Sequence, residues 1–115
     1  MQNGTFFIKY NKDYISIAYD QVLYVEGCRN YCKIKLTGNK MYLVHMPMHA
    51  MQQLLPETLF CRIHKSYIIS LNRITGIAET SINIGESKII PFGNVFKEEA
   101  VRKIRFSLGT ELITQ

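Results

Sequence analysis

No stretch of this sequence approaches the roughly 20 consecutive apolar residues that a helix needs to cross a bilayer. The first 20 residues interrupt their apolar pattern with Lys9, Lys12 and Asp13, so neither a spanning helix nor a secretory signal is read, and a cytoplasmic location without membrane contact is expected. Cysteine is scarce. Cys28, Cys32 and Cys61 are odd in number and lack framework spacing, which excludes a disulfide scaffold and fits a reducing compartment. Catalytic signatures are missing as well: there is no glycine-rich phosphate loop, nucleophile elbow or paired-carboxylate segment. The adjacent acids Glu98 and Glu99 fall where the exposed face of a helix would carry them. An enzyme is not expected, and no cofactor is implied. Linkers, low-complexity segments and fixed-period repeats are also lacking, so residues 1–115 read as one domain with a core over about residues 5–105.

What the chain does have is a basic middle. It carries 14 Lys and Arg against 9 Asp and Glu, a formal charge of +5. Between Cys28 and Arg73 lie seven cations (Arg29, Lys33, Lys35, Lys40, Arg62, Lys65, Arg73) and one anion, Glu57, whereas five cations and five anions follow Gly76. Such a local excess concentrates a polyanion, of which DNA and RNA are the commonest. A basic surface that serves only solubility is the plainer alternative.

Apolar residues recur mainly with period two, the spacing of half-buried strands. Phe6, Ile8 and Tyr10, an Asn11-Lys12 turn, and Tyr14, Ile15 and Ile17 predict a hairpin. Val22–Glu26 predicts a strand ending at Gly27. Tyr31–Leu36 is the clearest strand, with Tyr31, Lys33 and Lys35 on a wet, basic face and Cys32, Ile34 and Leu36 on a buried one. Thr37-Gly38-Asn39 turns the chain into Met41–Val44. The period then changes: Pro47 stands at a first helical position, and Met48, Met51, Leu54 and Leu55 trace a helix of about nine residues that Pro56 stops. Strands follow at Phe60–Ile63, Tyr67–Leu71, Ile74–Glu79, Ser81–Ile84 and Lys88–Ile90, with a Gly85-Glu86 turn. Phe96, Ala100, Val101 and Ile104 space a closing helix from Val95, and Thr110–Gln115 reads as a frayed end. The expected fold is mainly β: about ten short strands in small antiparallel sheets, one short central helix and a C-terminal helix.

Metal ligation is suggested on paper by Cys28 with Cys32 and by Cys61 with His64. A continuing strand over 60–64 would place Cys61 and His64 on opposite faces, and Cys32 shares the apolar face of Ile34 and Leu36, so no metal is expected. His45 and His49 flank the central helix as surface histidines. At the Arg62–Ser66 corner, Arg62 and His64 either project toward a partner or hydrogen-bond loop groups and hold the corner shut. Lys65, at the tip, is the cation left for partner contact.

Three segments of this chain carry a family resemblance. Val22-Leu23-Tyr24-Val25-Glu26-Gly27 followed by Asn30-Tyr31-Cys32-Lys33-Ile34, then Phe60-Cys61-Arg62-Ile63-His64-Lys65-Ser66-Tyr67-Ile68-Ile69, and Ile89-Ile90-Pro91-Phe92-Gly93-Asn94 closely resemble the LytTR DNA-binding domain found at the C-terminus of many bacterial response regulators. The resemblance covers about residues 5–105. It implies an elongated fold of ten short strands that binds duplex DNA through three loops reaching successive grooves, here Arg29–Lys33, the corner at Lys65 and Pro91–Lys97. DNA contacts are thereby expected from Arg29, Asn30, Tyr31, Lys33, Lys35, Lys65, Asn94 and Lys97. Relatives often have histidine, asparagine or arginine, and arginine at the three loops; this chain has Cys32, Lys65 and Asn94, which changes the base preferences rather than the mode. Gly93 would leave the backbone free to approach a phosphate.

The resemblance also implies a receiver or sensor domain in the parent protein or in trans, the chain being either an excised domain or a stand-alone regulator. No strand reads as a long apolar edge, so a monomer in solution is expected; because one small domain discriminates little, a dimer on duplex DNA with repeated half-sites about one turn apart is expected. The rival function is a protein-interaction module whose basic face meets an acidic partner. Single-stranded RNA binding on a β face is a third reading, with Tyr31 beside Lys33 and Lys35 as its platform.

Overall fold

A computed structural model describes residues 4–85 and 88–108. Ten strands and two helices follow one another along the described chain: β1 (Thr5–Tyr10), β2 (Asp13–Ala18), β3 (Val22–Cys28), β4 (Tyr31–Leu36), β5 (Lys40–His45), α1 (Met48–Leu54), β6 (Phe60–His64), β7 (Tyr67–Ser70), β8 (Ile74–Ile77), β9 (Ser81–Ile84), β10 (Lys88–Pro91) and α2 (Asn94–Leu108). The strands form three antiparallel sheets, β1-β2, β5-β4-β3-β7-β6 and β10-β9-β8, in a molecule of 50 × 31 × 25 Å. The mainly β, elongated expectation is met. Glu86 of the expected turn and the Thr110–Gln115 segment lie outside the described residues.

The five-stranded sheet is the frame; one face is covered from β5 to β6 and the other over β3, β7 and β6, leaving that side of β4 and β5 open. Val25 and Ile68 are register partners, as are Tyr24 and Ile69, and because successive side chains alternate faces the two pairs point opposite ways. Val25, Cys32, Ile34, Val44, Phe60 and Ile68 join Phe6, Ile8 and Ile17 of the first hairpin and Met48, Met51 and Leu55 from the α1 region in one buried cluster. Cys61, Ile63 and Ile69 join Ile82, Ile84 and Ile90 of the three-stranded sheet and Ala100 and Ile104 of α2 in the other. Each fully buried isoleucine in these clusters contributes about 1.5–3 kcal/mol of transfer free energy.

Of the boundaries that differ from the sequence reading, three change the path of the chain most. Strand β3 runs through Gly27 to Cys28, because Gly27 pairs with Cys32 and Cys28 with Tyr31; only Arg29 and Asn30 remain for the turn, and Arg29 takes a left-handed φ of 62°. Pro47 caps α1 rather than starting it. Its backbone is extended (φ −76°, ψ 161°) and its carbonyl accepts the amides of Ala50 and Met51, so the helix spans seven residues. Strand β8 stops at Ile77, and a turn leads into β9.

Candidate nucleic-acid interface

Sheet register decides which cations meet. Strands β4 and β7 both begin where β3 ends, and β5 and β6 both end there. The two-residue turn at Arg29–Asn30, the corner at Lys65–Ser66 and the exit of β5 at His45 therefore emerge from one end of the sheet. The amide of Gly27 donates to the carbonyl of Ser66 at 2.8 Å, tying the first two turns together. The third segment joins the same end through the Gly93 amide, which donates to the carbonyl of Ile63 at 2.8 Å. Arg29, Asn30, Tyr31, Lys65 and Asn94 are exposed there, and Lys97 is half-buried.

The same register separates other cations from this group. Strands rise about 3.3 Å per residue, so Lys35 lies about 13 Å along β4 from Tyr31. It donates to Asn39 Oδ1 at 3.1 Å in the turn at the opposite end. Lys40 pairs with Leu36 and Arg73 follows β7, donating to the carbonyl of Asp20; both belong to that far end. Lys33 is intermediate, two pairs beyond Tyr31 and directly opposite Glu26, whose carboxylate partly offsets its charge. Burial, and then the Glu26 carboxylate, hold the Tyr67 hydroxyl above its usual range, so it stays protonated and donates to Glu26 Oε2 at 3.2 Å. The basic stretch legible in the sequence is thus two patches, not one.

Of the two readings of the corner, the closed one is observed. The Arg62 guanidinium donates to the carbonyls of His64 and Lys65. His64 Nδ1 accepts the Ser66 amide at 3.0 Å, and its ring meets that of Tyr67 edge-on at 5.7 Å. Lys65 is left as the exposed tip. In the third segment, Asn94 is the first residue of α2 and forms no side-chain hydrogen bond among the described residues, and Lys97 Nζ stands 5.9 Å from the Phe92 ring centroid.

One expectation for this end holds and one changes. Cys32, aligned with the position where relatives often carry histidine, is fully buried, and its Sγ lies against the Met46 carbonyl and Met48 Sδ. It is buried as its alternation with Ile34 and Leu36 predicts, and the first loop exposes Arg29, Asn30 and Tyr31. Gly93 keeps its open side for another purpose than a phosphate. A Cβ there would stand 3.3 Å from His64 Cα and 3.4 Å from the Ile63 carbonyl, so the missing side chain lets the third segment lie against the corner. The sequence reading also missed His45. It pairs with Tyr31, its ring 4.8 Å from the tyrosine ring, and only strand pairing brings the two together. Among the described residues, no three His, Cys, Asp or Glu converge as a metal site.

Residues 12–104 match the family described as the LytTr DNA-binding domain. Among solved structures, the chain is similar to the LytTr DNA-binding domain of a protein described as a methyl-accepting/DNA response regulator from Bacillus cereus, with a TM-score of 0.67, 18% identity, and coverage of 91% of this chain and 96% of that one. No curated protein matches. No described helix is long and apolar enough to cross a membrane.

Proposed function

We propose that this chain, which belongs to the LytTR family of DNA-binding domains, is the sequence-specific output module of a bacterial transcriptional regulator, reading duplex DNA with the loop-bearing end of its five-stranded sheet. The observation that carries the reading is the convergence of Arg29–Asn30, Lys65 and Asn94–Lys97 at that end through the Gly27–Ser66 and Gly93–Ile63 hydrogen bonds. Lysine lacks the planar fork that reads a base edge, so Lys33, Lys65 and Lys97 serve phosphates. Lys35, bonded to Asn39 at the far end, lies outside the interface. Asn94 offers a donor and an acceptor side by side, which matches adenine N6 and N7 in the major groove. Arg29 is the candidate guanine reader, and Asn30 and Tyr31 complete the first loop. Occupancy as a dimer on repeated half-sites, control by a receiver or sensor domain and a cytoplasmic location belong to the same proposal.

Fluorescence anisotropy on genomic duplexes, with excess random duplex as competitor, tests it. Asn94→Ala should cost about 1–3 kcal/mol on the preferred site and leave random affinity unchanged, whereas Lys97→Ala should weaken both and lower the salt slope by about 1. Complete competition by random duplex at every salt concentration would leave only non-specific attraction. That outcome would favour the second reading, an acidic protein partner. One observation supports it: the edge strand β5 exposes Met41 and Leu43, at 51% and 45%, with Leu43 opposite Lys33.

A further inference from the structure

Arg62 does more than close its own corner. Its Nη1 donates to Gln52 Oε1 of α1 at 3.1 Å, and its guanidinium carbon stands 5.2 Å from the centroid of the Phe96 ring in the first turn of α2. Phe96 is flanked in sequence by Asn94 two residues before and Lys97 one residue after. One cation on edge strand β6 thus touches the backbone of Lys65, the central helix and the helix that carries the third loop.

We propose that Arg62 is a positioning residue that couples the second DNA loop to the third, so that Lys65 and Asn94 are presented as one rigid pair rather than as two independent contacts. The inference rests on the DNA-binding reading above for its consequence, though not for its geometry. Its guanidinium geometry is what makes the coupling possible. A planar group with five donors satisfies two carbonyls and an amide oxygen along its edge while its face lies against an aromatic ring. A lysine ammonium keeps the charge but has no plane to divide between edge and face. The backbone bond between Gly93 and Ile63 joins the same two loops, and Arg62 closes the loop of contacts on the other side of the corner.

Two measurements test the coupling. In the free protein, amide hydrogen exchange is followed at Ser66, whose N–H bonds to His64, in wild type, Phe96→Leu and Arg62→Lys. Phe96→Leu keeps an apolar side chain in α2 and removes only the ring facing Arg62. Exchange at Ser66 should rise about two- to fivefold in Phe96→Leu, the size of one cation–ring contact, and about tenfold or more in Arg62→Lys, with the thermal midpoint reported alongside to show that both remain folded. An unchanged Ser66 rate in Phe96→Leu overturns the inference whatever the protein does with DNA.

On the preferred duplex, Lys65→Ala, Asn94→Ala and their combination are then compared in the wild-type and Arg62→Lys backgrounds. The affinity losses should fail to multiply by fivefold or more in wild type and multiply within about twofold in Arg62→Lys, because residues that share a network are non-additive and independent ones are not. Multiplying losses in wild type, or equal non-additivity in both backgrounds, would refute it. A positive exchange result with no preference for any duplex over random DNA would leave the coupling standing and remove the DNA-binding reading instead.

Discussion

Gly27 sits where a side chain has no room, and Gly27→Ala is the most direct test of how the loop-bearing end of the sheet is braced. A Cβ built on Gly27 would fall 2.4 Å from Met48 Cγ and 3.0 Å from Met48 Sδ, where ordinary contacts are about 3.5–4 Å. The obstructing atom is near the root of the methionine rather than at its tip, so a small swing of the terminal methyl does not relieve it. Met48 is 8% exposed in the cluster under β3 and β4, and its sulfur lies 3.6 Å from Cys32 Sγ. Either the methionine changes rotamer into an occupied core or the start of α1 moves away. Overpacking of this kind costs about 1–3 kcal/mol. At about 2.1 cal/mol/K per residue, this domain should lose roughly 4–12 °C of Tm. Combining the change with Met48→Ala should be markedly less than additive, since the truncated side chain makes room for the new Cβ. Chemical denaturation of the four proteins of this cycle is the assay. A Gly27→Ala variant within about 0.5 kcal/mol of wild type, or strict additivity with Met48→Ala, would refute the steric reasoning.

The thiols divide by exposure: Cys28 is exposed and Cys32 and Cys61 are buried, so a thiol-alkylating probe should label Cys28 alone in the native protein, and a bulky adduct there, beside Arg29, should block specific DNA binding. Labelling of all three at one rate would contradict the fold. Burial pushes the Cys32 thiol up from 9.0 to about 11, against the opposing pull of Arg62; since the unfolded chain loses this proton first, stability should fall between pH 9 and 11 by about 2–3 kcal/mol from this group. Cys32→Ala should flatten that fall, and an identical pH profile in the variant would refute the assignment. Ile69→Ala, which empties a fully buried position of the interior strand β7, should cost about 2–5 kcal/mol in denaturant unfolding.

Much of the fold was legible because most strands have one buried face. The alternation over Tyr31–Leu36 names both the strand and its buried set, and the structure buries Cys32, Ile34 and Leu36 as read. The end of β3 was not legible. Gly27 resembles punctuation in the sequence, yet it continues the strand and is small because Met48 crosses it, a contact between residues 21 positions apart. Gly93 misled in the same way: its freedom serves the backbone of His64 rather than a ligand. At the Arg62–Ser66 corner local reasoning succeeded, because the bonds that close it span only two or three residues. His45 lay beyond local reasoning, since only the β4–β5 register sets it against Tyr31.

Charge is where the sequence and the structure diverge most, and the divergence yields the sharpest control on the function. Seven cations counted between Cys28 and Arg73 suggest a single electrostatic footprint, but strand pairing sends Arg29 and Lys65 to one end and Lys35, Lys40 and Arg73 to the other, while Arg62 donates to groups of the chain itself. Two proteins altered by one charge each, Lys65→Ala and Lys40→Ala, therefore have the same net charge and differ only in which end lost it. If DNA is held at the loop-bearing end, a phosphate contact is lost in the first variant and none in the second. Each neutralised phosphate contributes about 0.9 to the slope of log K against log salt for B-form DNA. Lys65→Ala should thus lower the slope by about 1, and Lys40→Ala, many ångströms from any phosphate and screened beyond about 10 Å at 0.1 M salt, should leave it unchanged. Anisotropy titrations over a range of salt concentrations separate the two outcomes. Equal slopes in both variants would mean that overall charge rather than an oriented face attracts the duplex, and the assignment of the DNA-binding end would fall with it.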